Sequence, residues 1–216
     1  MKRILATATA LVACVAVPAA TAQKPPKQPK GLSISAVPSP LTFGKSVAVS
    51  GKLTGPKGGG ETITLREDPF PFGDLMQVAT ATADGQGDYS FTRAPTTNTR
   101  YQASQGPVES EIVTVMVSPS ISLRFSDRTP AARSRVRFYG KVCPEHDSAT
   151  LLIQRRIAPE RWRTVRSTTL TDAPGTSCSL YSRQLRVSRD SVWRTVLRTH
   201  ADHATGRSRA RRIDVH

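Results

Sequence analysis

The chain alternates apolar and polar residues over short segments, which is the pattern of half-buried β-strands. In residues 46–53, Val47, Val49 and Leu53 fall on one face, while serine and lysine side chains fall on the other. Successive side chains of a strand point to opposite faces, so this alternation predicts a strand rather than a helix. Further segments with strand patterns lie at 32–37, 62–66, 75–82, 88–92, 100–104 and 112–117.

The spacing of these segments predicts a two-sheet sandwich. About seven short strands fall within some ninety residues, and turn-forming glycine, proline and aspartate residues separate them. The last segment, 112–117, alternates less cleanly than the others, so we expect it to be a more fully buried strand. The resulting fold class is all-β.

The same order of segments recurs in the second half of the chain. Residues 51–53 (GKL) are echoed by 140–142 (GKV), and residues 62–65 (TITL) by 150–153 (TLLI). A repeat period of about ninety residues matches one whole sandwich per repeat. We therefore predict two tandem domains, 31–118 and 119–216, with the boundary at 118–120.

Motifs in the first repeat narrow the fold further. They are 37–44 (VPSPLTFG), 46–53 (SVAVSGKL), 68–73 (DPFPFG) and 82–91 (TADGQGDYSF). Together they resemble the immunoglobulin-like modules of secreted actinobacterial proteins. The last motif is also similar to a hairpin of carboxypeptidase-regulatory-like and adhesin B-type domains. The resemblance implies two tandem immunoglobulin-like β-sandwich domains of about seven strands each, in an extracellular setting, and it implies no catalytic residue.

The N-terminal residues have the pattern of an export signal. A basic pair precedes the apolar stretch 4–17, and residues 20–22 (ATA) supply the small residues that a signal peptidase requires. We predict a signal peptide over 1–22, cleaved between Ala22 and Gln23, and therefore a secreted protein.

An alternative route to the cell surface stays open. Residues 11–14 (LVAC) also resemble a bacterial lipobox, in which Cys14 would carry a lipid anchor. After the signal, residues 23–30 form a lead rich in proline and lysine that we expect to be extended. The apolar stretch is too short for a membrane-spanning helix, which needs about 20 residues, and no later segment is apolar enough.

The cysteines predict one disulfide. Loss of Cys14 with the signal leaves Cys143 and Cys178, an even number in a compartment where disulfides persist. We expect these two residues to form a bond within the second domain rather than a pair of reactive thiols.

The two predicted domains differ sharply in charge. The chain has a formal net charge of +15; residues 31–118 hold six Lys/Arg against eight Asp/Glu, whereas residues 119–216 hold twenty against eight. Nineteen of those twenty are arginine. This excess indicates either an anion-binding second domain or the composition of a GC-rich genome, and composition alone does not separate the two.

The spacing of some arginines favours the anion-binding interpretation. Alternation places Arg133, Arg135 and Arg137 on one face of a strand, and Arg194 and Arg198 on one face of another. If these strands are neighbours, the five side chains form one cationic patch. Such a patch suits an anionic cell-wall polymer or an acidic polysaccharide. The sequence contains no nucleic-acid-binding motif, so we expect no specific nucleic-acid partner.

Candidate catalytic chemistry is sparse. The sequence contains no G-x-S-x-G motif, and its four histidines all lie at or after position 146. His200, Asp202 and His203 form the one suggestive cluster, although residues three apart on a strand point to opposite faces. We expect a non-enzymatic extracellular or envelope-associated module without a cofactor, acting as a spacer or as a low-specificity binder. A small metal-assisted hydrolase using this cluster is the alternative, and the oligomeric state stays open.

Overall fold

The computed structural model describes residues 30–55 and 58–216, and every regular element in these two ranges is a β-strand or a turn. The predicted signal peptide, its cleavage site at Ala22 and Gln23, and Cys14 lie outside the described residues, as does all of the predicted lead except Lys30. Within the described ranges no helix is long and apolar enough to cross a membrane.

Two antiparallel sheets and one short two-stranded parallel sheet form the first half of the described chain. The strands are β1 (Gly31–Leu32), β2 (Ser35–Val37), β3 (Leu41–Thr42), β4 (Val47–Thr54), β5 (Thr62–Pro69), β6 (Met76–Thr82), β7 (Asp88–Arg93), β8 (Thr99–Gln105), β9 (Val108–Glu109), β10 (Val113–Val115) and β11 (Val117–Ser118). In one sheet β4 pairs with β7 and with the short strands β1 and β2. In the other, β6, β5 and β8 are adjacent, and β8 also pairs with β9 and β10.

The second half repeats this arrangement. Its strands are β12 (Ser120–Ile121), β13 (Arg124–Phe125), β14 (Ser134–Cys143), β15 (Thr150–Ala158), β16 (Arg161–Thr169), β17 (Thr171–Asp172), β18 (Ser179–Val187), β19 (Ser191–Leu197), β20 (Gly206–Arg207) and β21 (Arg211–Ile213). One sheet contains β12, β13, β14, β18 and β17, and the other contains β16, β15, β19, β20 and β21. Strand for strand, β14 occupies the place of β4, and β15 and β19 those of β5 and β8.

Each pair of sheets encloses its own hydrophobic core, as expected for β-sandwich packing. The buried residues of the first core all lie between Leu41 and Val115. Those of the second lie between Ile121 and Ile213, and in it the rings of Phe138 and Trp193 meet edge to face with centroids 4.9 Å apart. The inward positions are the apolar positions of the alternating pattern: Val47, Val49 and Leu53 are all fully buried.

Strand residues lie within all seven segments predicted for residues 31–118, but the prediction of one more fully buried strand over 112–117 is wrong. This segment is divided into β10 and β11, and Ile112 is 50% exposed. The division arises because the chain changes partner there. β10 pairs antiparallel with β8, whereas β11 pairs parallel with β3.

A close contact joins the β1–β2 connection to β4 and β7 and holds the first of these sheets together. The Ser33 carbonyl oxygen, between β1 and β2, accepts a hydrogen bond from the Tyr89 hydroxyl of β7. It also sits against Gly51 of β4, where a Cβ would lie only 1.9 Å from that oxygen. The Lys52 amide donates to the Ser33 hydroxyl oxygen at 2.9 Å. We call this arrangement the serine–glycine–tyrosine contact.

The same contact recurs in the second half. The Tyr181 hydroxyl donates to the Ser122 carbonyl at 2.7 Å, and a Cβ on Gly140 would lie 2.1 Å from that oxygen. The Lys141 amide donates to the Ser122 hydroxyl oxygen at 2.9 Å. Burial raises the pKa of Tyr89 and of Tyr181 to about 12, so both hydroxyls keep the proton that they donate.

The predicted disulfide is confirmed. Cys143, the last residue of β14, is bonded to Cys178, which directly precedes β18. Because β14 and β18 pair antiparallel along their whole length, the bond closes one end of this strand pair and holds the chain that leaves β14.

The two halves meet through Asn98, the only asparagine of the sequence. This residue is 3% exposed, and its side-chain oxygen accepts a hydrogen bond from the Val117 amide at 2.8 Å. Its backbone amide donates to the Asp202 carbonyl at 2.8 Å, and its side-chain amide donates to the Ala201 carbonyl at 3.2 Å. One buried side chain therefore joins residues of both halves, and we call this contact the junction.

Candidate functional site

The five arginines predicted to form one patch do not lie together. β14 and β19 belong to different sheets, and their inner faces share one core through Phe138 and Trp193. The outer faces of two sheets packed in this way point in opposite directions. The prediction of a single surface is therefore wrong; it comprised Arg133, Arg135, Arg137, Arg194 and Arg198.

Three of these arginines lie at or near β14. Arg135 and Arg137 are exposed on its outer face, as their alternation with Val136 and Phe138 predicted. Arg133 precedes the strand in a turn with a φ of 63°, so the period of the strand does not set the direction of its side chain. Alternation holds inside the strand and fails one residue before it.

The other two lie on the opposite side of the sandwich. Arg194 stacks its guanidinium over the Trp162 ring at 4.2 Å and donates to the Gln154 side-chain oxygen at 2.9 Å. Burial and the nearby charge of Arg207 lower the pKa of Arg194. Arg198 is exposed and follows the end of β19. Because Arg194 is committed to protein partners, it is a poor candidate for binding an anion.

The structure brings a different set of arginines together. Arg135 of β14 lies directly opposite Arg186 of β18, and both line a surface cavity that also receives Arg166 of β16 and Arg183 of β18. All four side chains are exposed. We call this set, Arg135, Arg166, Arg183 and Arg186, the arginine groove.

The groove extends from the outer face of the β14–β18 pair, which carries Arg135 and Arg186, to the open side of the sandwich between the edges of its two sheets. Among the described strands, β16 pairs only with β15, and β18 has no partner on its outer edge beyond Leu180. Arg183 has the inward parity of Tyr181 and Leu185, which are buried, yet its side chain is exposed. At an unpaired edge, a long side chain with inward parity can extend out between the sheets to water.

The described part of the chain places no carboxylate within 4.0 Å of a groove arginine. Among the described residues of 119–216, Arg212 is the only arginine within 4.0 Å of a carboxylate, and its partners are Asp190 and Asp214. Like charges directly opposite each other on paired strands are destabilising, so the pair Arg135 and Arg186 stands in a repulsive arrangement. An anion bound between them would remove that repulsion.

The three cluster residues whose ligand atoms converge are not the three that the sequence predicted. His200, Asp202 and His203 lie in the loop between β19 and β20 rather than on a strand. The ligand atoms that converge belong to His146, Asp202 and His203, and all lie within 4.8 Å of one another. His200 is exposed and packs its ring against His146, with centroids 5.3 Å apart. Burial lowers the pKa of His146.

The sequence matches no protein-family model, and no curated protein matches it significantly.

Proposed function

We propose that this chain is a secreted, non-enzymatic protein of two tandem immunoglobulin-like domains, 31–118 and 119–216, that binds anionic polymers of the cell envelope through the arginine groove. One observation carries the proposal: four exposed arginines converge on one cavity, and none of them has a carboxylate partner within 4.0 Å among the described residues.

The repeated architecture supports the tandem-domain part of the proposal. Both halves pair their strands in the same order, and both contain the serine–glycine–tyrosine contact on equivalent strands. Antiparallel sandwiches of about seven strands are typical of immunoglobulin-like modules. Two domains in series suit a spacer that holds the arginine groove away from an attachment point.

The disulfide supports the extracellular part. Bonds such as Cys143–Cys178 form and persist in oxidising compartments and are rare in reducing ones. The predicted signal peptide over 1–22 points to the same destination, with an anchor through Cys14 as the alternative.

Guanidinium chemistry suits the proposed ligand. Each arginine presents a planar fork of donors that binds phosphate or carboxylate in bidentate fashion. A polyanion that neutralises several of them releases its counterions, so affinity follows charge density and falls with salt. The groove is lined mainly by arginine side chains, with Val165 and Leu185 as its apolar residues. This lining favours a low-specificity binder of teichoic-type or acidic polysaccharide chains.

Arginines at sheet edges can also protect a protein from aggregation. The experiment must distinguish this role from polymer binding. Charged residues on edge strands prevent the sheets of two molecules from pairing. If that is the whole role of the groove, reversing its charge would change aggregation and leave polymer binding unaltered.

Charge reversal within the groove tests the proposal. We expect the double variant Arg135→Glu, Arg186→Glu to lose more than about tenfold in affinity for poly(glycerol phosphate) at 50 mM salt, because two charge-assisted contacts become repulsive. The measurement is isothermal titration or biolayer interferometry on the mature chain.

The matched control is Arg209→Glu, Arg211→Glu. It makes the same change in net charge at two exposed positions of the β21 region, outside the groove. Both variants should keep their unfolding free energy within about 0.5 kcal/mol. Equal loss of affinity in the two variants would mean that net charge alone binds the polymer, and would contradict a site at the groove.

A further inference from the structure

Two buried ring nitrogens in the histidine cluster have no hydrogen-bond partner within residues 30–55 and 58–216. They are Nε2 of His146 and Nδ1 of His203. The His203 side chain is only 2% exposed. An unpartnered buried polar atom carries a large desolvation cost, so this pair calls for a ligand.

The contacts of the opposite ring nitrogens fix the chemistry of this pair. Nδ1 of His146 lies 2.9 Å from the Pro144 carbonyl oxygen, and Nε2 of His203 lies 2.8 Å from the Thr96 carbonyl oxygen. A carbonyl oxygen only accepts, so each of these nitrogens carries the proton and donates it. The unpartnered nitrogen of each neutral ring is therefore an acceptor with a free lone pair.

A carboxylate faces the same point. Oδ2 of Asp202 lies 2.8 Å from Nδ1 of His203, although the contact is not aligned as a hydrogen bond. The lone pairs of two imidazoles and the oxygens of a carboxylate thus meet at one place, and no donor lies among them. A positive charge satisfies all three groups, either as a proton held between His203 and Asp202 or as a metal ion that all three bind.

We propose that His146, Asp202 and His203 bind a divalent transition-metal ion of the Zn²⁺ class. Two imidazole nitrogens and one carboxylate oxygen are ligands that zinc favours. Metal-bound histidines characteristically donate their other ring N–H to a backbone carbonyl, as both of these histidines do. The site is independent of the arginine groove and of the polymer proposed to bind there.

The geometry fits after a small contraction. Ligand atoms of a tetrahedral zinc site, with bonds of about 2.0–2.1 Å, lie roughly 3.4 Å apart, whereas here they lie within 4.8 Å of one another. The most widely separated pair therefore has to close by about 1.4 Å. Asp202 and His203 lie in a loop, where such a movement requires no change in strand register. A fourth position is left for water.

The metal would connect three parts of the chain. His146 follows the disulfide, and its backbone amide donates to the Ser179 hydroxyl oxygen at 2.8 Å. Asp202 and His203 lie in the loop that contacts the first half: the Asp202 carbonyl accepts from the Asn98 amide, and the His203 ring contacts the Thr96 carbonyl. Binding would therefore fix the junction between the two halves. The burial of His203 and the role of this loop in packing favour a structural site over a hydrolytic one.

Zinc retention by tag-free mature protein tests the site. After loading with Zn²⁺ and dialysis, we expect about one zinc per chain by elemental analysis, and a melting midpoint that rises when zinc is present at roughly 100 times its dissociation constant. His146→Gln should retain less than about a fifth of that zinc, because one of three ligands is lost. Asp202→Asn, which preserves shape, should lose zinc and show no rise in melting midpoint.

His200→Gln is the control, because it separates this site from one built on His200, Asp202 and His203. It should retain zinc as the unmodified protein does, since its ring lies beside the ligand set and outside it. Failure of the unmodified protein to retain zinc would overturn the proposal. So would a loss in His200→Gln as large as that in His146→Gln. Circular dichroism of Asp202→Asn establishes that its loss of zinc is not a loss of fold.

Discussion

The double variant Cys143→Ser, Cys178→Ser is expected to unfold with a free energy lower by about 4 kcal/mol. The bond joins residues 35 apart, and in the chain-entropy description its loss releases that loop in the unfolded state. A small domain has a total stability of about 5–15 kcal/mol, so the variant should lose a large share of it. Urea unfolding monitored by Trp162 and Trp193 fluorescence provides the measurement.

Reduction supplies the control for this prediction. Dithiothreitol should lower the stability of the unmodified protein to that of the variant, and should leave the variant unchanged. An unmodified protein and a variant with the same urea midpoint would contradict a stabilising role for the bond.

Replacing Gly140 or Gly51 by alanine is expected to cost about 3 kcal/mol in each half. The new Cβ would lie 2.1 Å from the Ser122 carbonyl in the first case and 1.9 Å from the Ser33 carbonyl in the second. Both atoms belong to the backbone, so the strands must separate. The hydrogen bond from Tyr181 or Tyr89 to that carbonyl is then disturbed as well.

Gly85→Ala is the matched control for the glycine variants, because a Cβ there meets no atom of the described residues within 4 Å. It should change the unfolding free energy by less than about 0.5 kcal/mol. If Gly140→Ala is no more destabilising than Gly85→Ala in thermal or urea unfolding, the contact does not hold the sheets together as described.

The sequence was most informative where a rule acts within a single strand. Alternation located the strand containing Val47, Val49 and Leu53, and it placed Arg135 and Arg137 on an outer face. Counting cysteines outside the predicted signal identified the disulfide. These inferences need only the period of a strand or the chemistry of one residue type.

Inferences that need the pairing of distant strands were not available from the sequence. Arg194 does not share a surface with Arg135, and no local pattern shows this, because the placement of β14 and β19 in different sheets depends on distant strand pairing. Arg133 lies in a turn before β14, where the strand period no longer applies. The pairing of Arg135 with Arg186 depends on the register of β14 with β18. Arg183 has the parity of a core residue and is exposed only because its strand is an edge.

The histidine cluster and the junction show the same limit. His146 joins Asp202 and His203 across more than fifty residues of sequence, and nothing local to any of them indicates the others. The one feature of the sequence that distinguishes Asn98 is that it is the only asparagine. Rarity alone does not show that a side chain is buried between two halves.

Binding of anionic polymers through the arginine groove is tested most directly by comparing dextran sulfate with dextran. These two polymers share a backbone and differ in charge. The mature protein should bind dextran sulfate at 50 mM salt and should not bind dextran. If four arginines of the groove take part, counterion release predicts that affinity falls about 50-fold between 50 and 200 mM salt. Equal binding to both polymers, or an affinity for dextran sulfate that is unchanged by salt, would contradict the account.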